Sequence, residues 1–74
     1  MGQIRDEILL RKIALGLKKL REESGISQDA LYNDTDINVA RIETAKVNIS
    51  VSKLSRLCQY FEISLSDFFK KVDG

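Results

Sequence analysis

SQDALYNDTDINVARIE, the run from Ser27 to Glu43, reads as two short helices joined by a tight turn. Ser27 is expected to start the first helix. Its hydroxyl can accept from the open N–H groups of Gln28, Asp29 and Ala30, and Asp29 is favourable beside the positive end of the helix dipole. Asn33-Asp34-Thr35-Asp36 comes next, four residues whose side chains bond nearby backbone and so favour turns and caps. The second helix is expected from near Thr35 to Glu43, with Val39 and Ile42 on one apolar face. The pattern is helix, turn, helix.

Outward from this stretch the chain reads as support. Leu10, Ile13, Ala14, Leu17 and Leu20 recur at the spacing of one helix face, with Arg11, Lys12, Lys18, Lys19 and Arg21 mostly between them. This first helix is expected to begin before Leu10, because Ile4, Ile8 and Leu9 extend the apolar pattern, and to end at Gly25, which supplies a left-handed C-cap. Gly16 inside it suggests either close approach by another element or a tolerant site. Past a loop at 44–48, Ser50 caps a fourth helix whose inward stripe is Val51, Leu54, Leu57, Cys58 and Phe61. Ser64, with Asp67 three residues on, starts a fifth helix carrying Leu65, Phe68 and Phe69. Five helices in one domain, residues 1–74, are expected.

Composition narrows the function classes. The 74 residues are 43% hydrophobic and 31% charged, an ordinary globular balance. No apolar run is long enough to cross a membrane, and the charged start MGQIRDEILL is not a secretory signal, so a cytoplasmic location is expected. A single cysteine, Cys58, and no histidine leave no disulfide and no credible metal site. Without histidine, motif-placed carboxylate pairs or a glycine-rich phosphate loop, nothing nominates an enzyme or a cofactor. Twelve basic and eleven acidic residues give a net charge of +1, so affinity for nucleic acid has to come from local placement.

The order and spacing of Leu17-Lys18-Lys19-Leu20-Arg21, Gly25-Ile26-Ser27-Gln28, Arg41-Ile42-Glu43, Asn48 through Leu54, and Ile63-Ser64-Leu65-Ser66-Asp67-Phe68-Phe69 resemble the phage repressor and Cro-type helix-turn-helix family. The resemblance implies an all-α, compact five-helix lambda-repressor-like domain with helices 2 and 3 as the helix-turn-helix. It implies a transcriptional regulator that binds double-stranded DNA as a homodimer, its third helix (about 35–43) in the major groove and its second across the backbone. Carried onto this chain, Gln28 is expected at a phosphate or base edge. Thr35, Asp36, Ile37, Asn38 and Arg41 would form the groove-facing side. Thr44, Lys46 and Asn48 would hold phosphates in the loop after it, and Lys53 and Arg56 are further candidates. The resemblance also implies a structural salt bridge between Arg21 and Glu43.

Three departures modify these expectations. The interval from Gln28 to Glu43 is a few residues shorter than the common pattern, with Tyr32 where a small residue is usual. Ala45 replaces a glycine and would carry strain if it turned left-handed. Between Ser27 and Glu43 one base, Arg41, faces Asp29, Asp34, Asp36 and Glu43, a net charge of −3 that opposes phosphate binding. A protein-interaction module on the same scaffold, antitoxin-like or a complex partner, is the alternative.

Overall fold

The computed structural model describes residues 3–4 and 7–73, with side chains for 7–72. Its longest element is α1, Glu7–Glu23, whose Leu10, Ile13, Ala14, Leu17 and Leu20 are all buried. The helix ends in a Schellman motif: Ile26 N–H donates to the Arg21 carbonyl at 3.0 Å and Gly25 N–H to that of Glu22 at 3.1 Å. Gly25 makes this possible with a φ of 69°. The short helices α2, Gln28–Thr35, and α3, Val39–Ile42, come next, then α4, Val51–Tyr60, and α5, Leu65–Asp73. Ser27, Ser50 and Ser64 each accept from the backbone N–H three residues on, at 3.0 to 3.1 Å, so all three expected caps form.

The fold is all-α with one small addition. Residues Gln3–Ile4 form β1 and pair antiparallel with β2, Ile49–Ser50, placing Ile4 opposite Ile49. Ile4 therefore does not extend α1, as its hydropathy had suggested; cross-strand backbone bonds take the place of another helical turn.

The core joins every helix. Leu17 and Ile13 of α1, Leu31 of α2, Val39 of α3, Leu54 and Leu57 of α4 and Phe68 of α5 are fully buried. Cys58 is buried among them, and burial pushes its thiol pKa up, as for a small apolar residue. Phe68 is core while Phe69 is only partly covered, the rings meeting edge to face at 5.7 Å. Val51 departs from the expected stripe: at the first position of α4 it is exposed. At Gly16 a Cβ would collide with Val72 Cγ1 and stand 3.1 Å from Phe68 Cζ, so the glycine lets α5 seat directly on the α1 backbone. Among the described residues no helix is long and apolar enough to cross a membrane.

Candidate nucleic-acid interface

One clasp orients the two short helices. Arg21, in the last turn of α1, presents Nε to Glu43 Oε2 at 2.9 Å and Nη2 to Oε1 at 3.1 Å, a fork-to-carboxylate match. Its Nη1 donates to the Ile26 carbonyl at 3.2 Å, which ties the fork to the α1–α2 connection. Gln28, at the start of α2, donates its amide to Glu43 Oε1 at 3.0 Å. The Arg21 and Glu43 side chains are 13% and 7% exposed, so the pair is largely shielded from water. The hydrogen bond to Glu43 is the main reason that the Arg21 pKa rises further above its already high value, against an opposing effect of burial. A carboxylate at the end of α3 thus holds α1, α2 and α3 in one arrangement.

The boundary between the short helices lies elsewhere than the turn propensities indicated. Thr35 ends α2 and does not begin α3: its hydroxyl donates to the Leu31 carbonyl at 2.7 Å and accepts from Ile37 N–H at 3.2 Å. Asp36 is the left-handed terminator, φ 60°, with its N–H on the Tyr32 carbonyl at 2.7 Å. Ile37 is 4% exposed and belongs to the core. The third helix is accordingly 39–42 rather than about 35–43. The physical reason is that Leu31 and Thr35, one turn apart, both face inward, so burial carries α2 through Asn33 and Asp34 and leaves these two on its exposed side.

Of the candidate groove-facing set, Thr35 and Ile37 are therefore enclosed, whereas Asp36, Asn38 and Arg41 are exposed. Asn38 is the N-cap of α3, its Oδ1 accepting from Arg41 N–H at 3.3 Å. Ala40, which sequence reasoning passed over, is exposed on the same short helix between buried Val39 and Ile42. The signal was present, since residues flanked by two core positions of one turn must face outward.

The loop after α3 is built around Thr44. Its hydroxyl donates to the Arg41 carbonyl at 2.6 Å and accepts from Lys46 N–H at 3.3 Å. Ala45 takes the left-handed conformation, φ 60°, with its N–H on the Ile42 carbonyl at 3.0 Å. Thr44, Lys46 and Asn48 are all exposed. Exposed side chains thus recur from the cap of α3 through this loop, on a helix that Arg21 and Gln28 hold through Glu43.

Residues 16–74 match the family model of the Cro/C1-type HTH DNA-binding domain. The chain belongs to that family. No curated protein and no solved structure matches it.

Membership makes this Cro/C1-type domain a DNA-binding regulator in general terms, and it sharpens the question of the acidic motif. Two of the four carboxylates are engaged. Glu43 is held by Arg21, and Asp34 Oδ2 accepts from the Tyr60 hydroxyl at 2.5 Å, a contact between α2 and α4 that the sequence did not suggest. Arg56 donates from Nη2 to the Thr35 carbonyl at 3.0 Å, covering the negative end of α2. Arg56 is thus committed to the scaffold, while Lys53 is exposed near the start of α4.

Proposed function

We propose that the domain is a non-enzymatic transcriptional regulator of the cytoplasm that docks α3 in the major groove of duplex DNA. Asn38, Ala40 and Arg41 face the bases, while the loop residues Thr44, Lys46 and Asn48 take phosphates and half-buried Gln28 offers a phosphate only the amide N–H that it does not give to Glu43. Arg41 suits a guanine edge or a phosphate, and Ala40 suits a thymine methyl. Asn38 can pair with adenine through both ends of its amide only if its carbonyl oxygen shares that contact with the helix cap. Asp36, at the turn, can accept from a cytosine amino group. Thr35 and Ile37 support this face from beneath. The observation that carries the reading is the recurrence of exposed side chains from Asn38 to Asn48, on a helix that Arg21 and Gln28 hold through Glu43, in a Cro/C1-type chain.

The functional unit is a homodimer on a two-fold-related site. A chain of 27 × 23 × 18 Å with a four-residue α3 offers one small contact patch, and two patches a helical turn apart multiply it. Ile8 and Leu15, each 69% exposed and seven residues apart on α1, provide apolar surface for such an association. Titration of duplex DNA at two salt concentrations tests the proposal: affinity falling steeply with salt supports phosphate contacts, and no binding at low salt removes the reading.

The same exposed apolar side chains and the acidic motif favour a second reading, a protein-interaction module that retains the scaffold. A copurified protein partner together with absent DNA affinity would select it.

A further inference from the structure

The N-terminal half of α1 and the loop after α3 enclose a cleft of about 390 Å³ lined by Glu7, Leu10, Arg11, Thr44, Ala45, Lys46 and Asn48. Two cations from distant parts of the chain, Arg11 and Lys46, therefore border one open space, and both side chains are exposed. Lys46 is carried by the loop that Thr44 and left-handed Ala45 shape. Arg11 is on the first part of α1, the next described element after β1, which pairs with β2 just beyond that loop. Arg11 also lies before residue 16, outside the stretch that matches the family. The cleft thus takes Glu7, Leu10 and Arg11 from outside that stretch and its other lining residues from within it.

We infer that this cleft is a phosphate site, with Arg11 and Lys46 straddling one backbone phosphate of bound duplex DNA. The inference rests on the DNA-binding reading above and extends its footprint from the loop onto α1. A guanidinium presents several donors in a planar fork suited to phosphate oxygens, and an ammonium adds a compact second charge. Thr44 and Asn48 line the polar side of the same opening. Glu7, one turn before Arg11, is the opposing group: its charge favours the start of α1 but repels phosphate. The site therefore works through a net surplus of one cation, and Glu7 sets an upper limit on its strength.

Phosphate contacts act on any sequence, so the probe is a mixed-sequence DNA duplex of roughly two helical turns. Wild type, Arg11→Gln, Arg11→Lys and Glu7→Gln are titrated across a salt series, with Lys19→Gln as the control, since Lys19 lines the separate groove between α1 and α5. Arg11→Gln is expected to bind more weakly and to flatten the slope of log K against log salt by about 0.9, the loss of one phosphate contact. Arg11→Lys restores the slope, Glu7→Gln tightens binding, and Lys19→Gln matches wild type. Wild-type binding with an unchanged slope in Arg11→Gln overturns the inference alone. A wild-type protein that binds no duplex at low salt overturns the DNA-binding reading and this inference together. Circular dichroism of each variant establishes that exposed Arg11 is not needed for folding.

Discussion

The Gln28 amide and the Arg21 guanidinium both grip the Glu43 carboxylate, Gln28 at 3.0 Å and Arg21 through two contacts. Removing that charge strands Arg21 in a largely shielded position. Glu43→Gln is expected to cost about 3 kcal/mol, the lower end for stripping one partner from a buried pair. In a domain of this size that is a drop in melting temperature of roughly 12–24 °C. Gln28→Ala removes one hydrogen bond to a charged group and should cost only about 1.5 kcal/mol. Thermal melts of the two variants beside wild type check the ranking; equal midpoints for Glu43→Gln and wild type would show that the clasp carries no stability.

Ile37 and Arg41 are four residues apart and should fail in different ways. Ile37 is core, so Ile37→Ala is expected to destabilise by about 2–5 kcal/mol. Arg41 is exposed on α3, so Arg41→Ala leaves the melt nearly unchanged and, on the proposed docking, weakens duplex binding by about 1–3 kcal/mol. Urea unfolding and DNA titration on both variants separate the roles. A stable Ile37→Ala would contradict its place in the core.

Among the described residues, three other than glycine sit at positive φ: Asp36, Ala45 and Glu62, at 60°, 60° and 57°. Glu62 closes α4 in a Schellman motif, with Ile63 N–H on the Cys58 carbonyl at 2.9 Å and Glu62 N–H on that of Gln59 at 3.0 Å. A side chain in this conformation costs about 1 kcal/mol relative to glycine. Ala45→Gly and Glu62→Gly should each raise stability by up to about 1 kcal/mol, and the two should add because they lie in separate turns. Denaturant midpoints of the single and double variants test this; a lower midpoint in either single variant would rule out strain at that turn.

Gly16 works in the opposite direction. Replacing it with Ala gains about 1 kcal/mol of helix propensity, but the new Cβ meets Val72 and the fully buried ring of Phe68. Overpacking of this kind costs about 1–3 kcal/mol, so Gly16→Ala is expected to be neutral to destabilising and Gly16→Val clearly worse. If Gly16→Val melted above wild type, α5 would not be seated on α1 at this point.

The hydrogen bond to Asp34, with smaller help from partial desolvation and the Asp34 charge, raises the Tyr60 pKa. A phenol that holds its proton more tightly when folded contributes stability that is complete below its unfolded pKa of about 10 and is lost as pH rises through the folded value. Buried Cys58, also raised, acts in the same direction from its lower ordinary value. Stability should therefore decline with alkali, and Tyr60→Phe should make the decline above about pH 10 shallower while leaving the Cys58 contribution. Urea midpoints measured from neutral pH into this range give the comparison. Identical curves for Tyr60→Phe and wild type would mean that the Asp34 contact is not made in solution.

The features legible in the sequence are those whose causes lie within a few residues. Serine caps at 27, 50 and 64, the glycine that ends α1 and the buried stripe of α1 each arise from side-chain chemistry or from helical period. Order and spacing along the chain were also enough to indicate a Cro/C1-type domain. Where opposing local preferences competed, tertiary packing decided. Turn-forming Asn33 and Asp34 stayed helical because Leu31 and Thr35 had to be buried, and burying a large aliphatic side chain gains about 1.5–3 kcal/mol, more than a turn preference of tenths. Ile37 went into the core by the same balance, and the exposed surface at α3 shrank to Asn38, Ala40 and Arg41. Contacts across the chain were beyond any local pattern: Asp34 with Tyr60, Arg56 with the Thr35 carbonyl, β1 with β2, and Arg11 brought to the cleft beside Lys46. Sequence determined which helices form and where most of them start; the packed structure determined where α2 stops, and with it which side chains around α3 stay exposed.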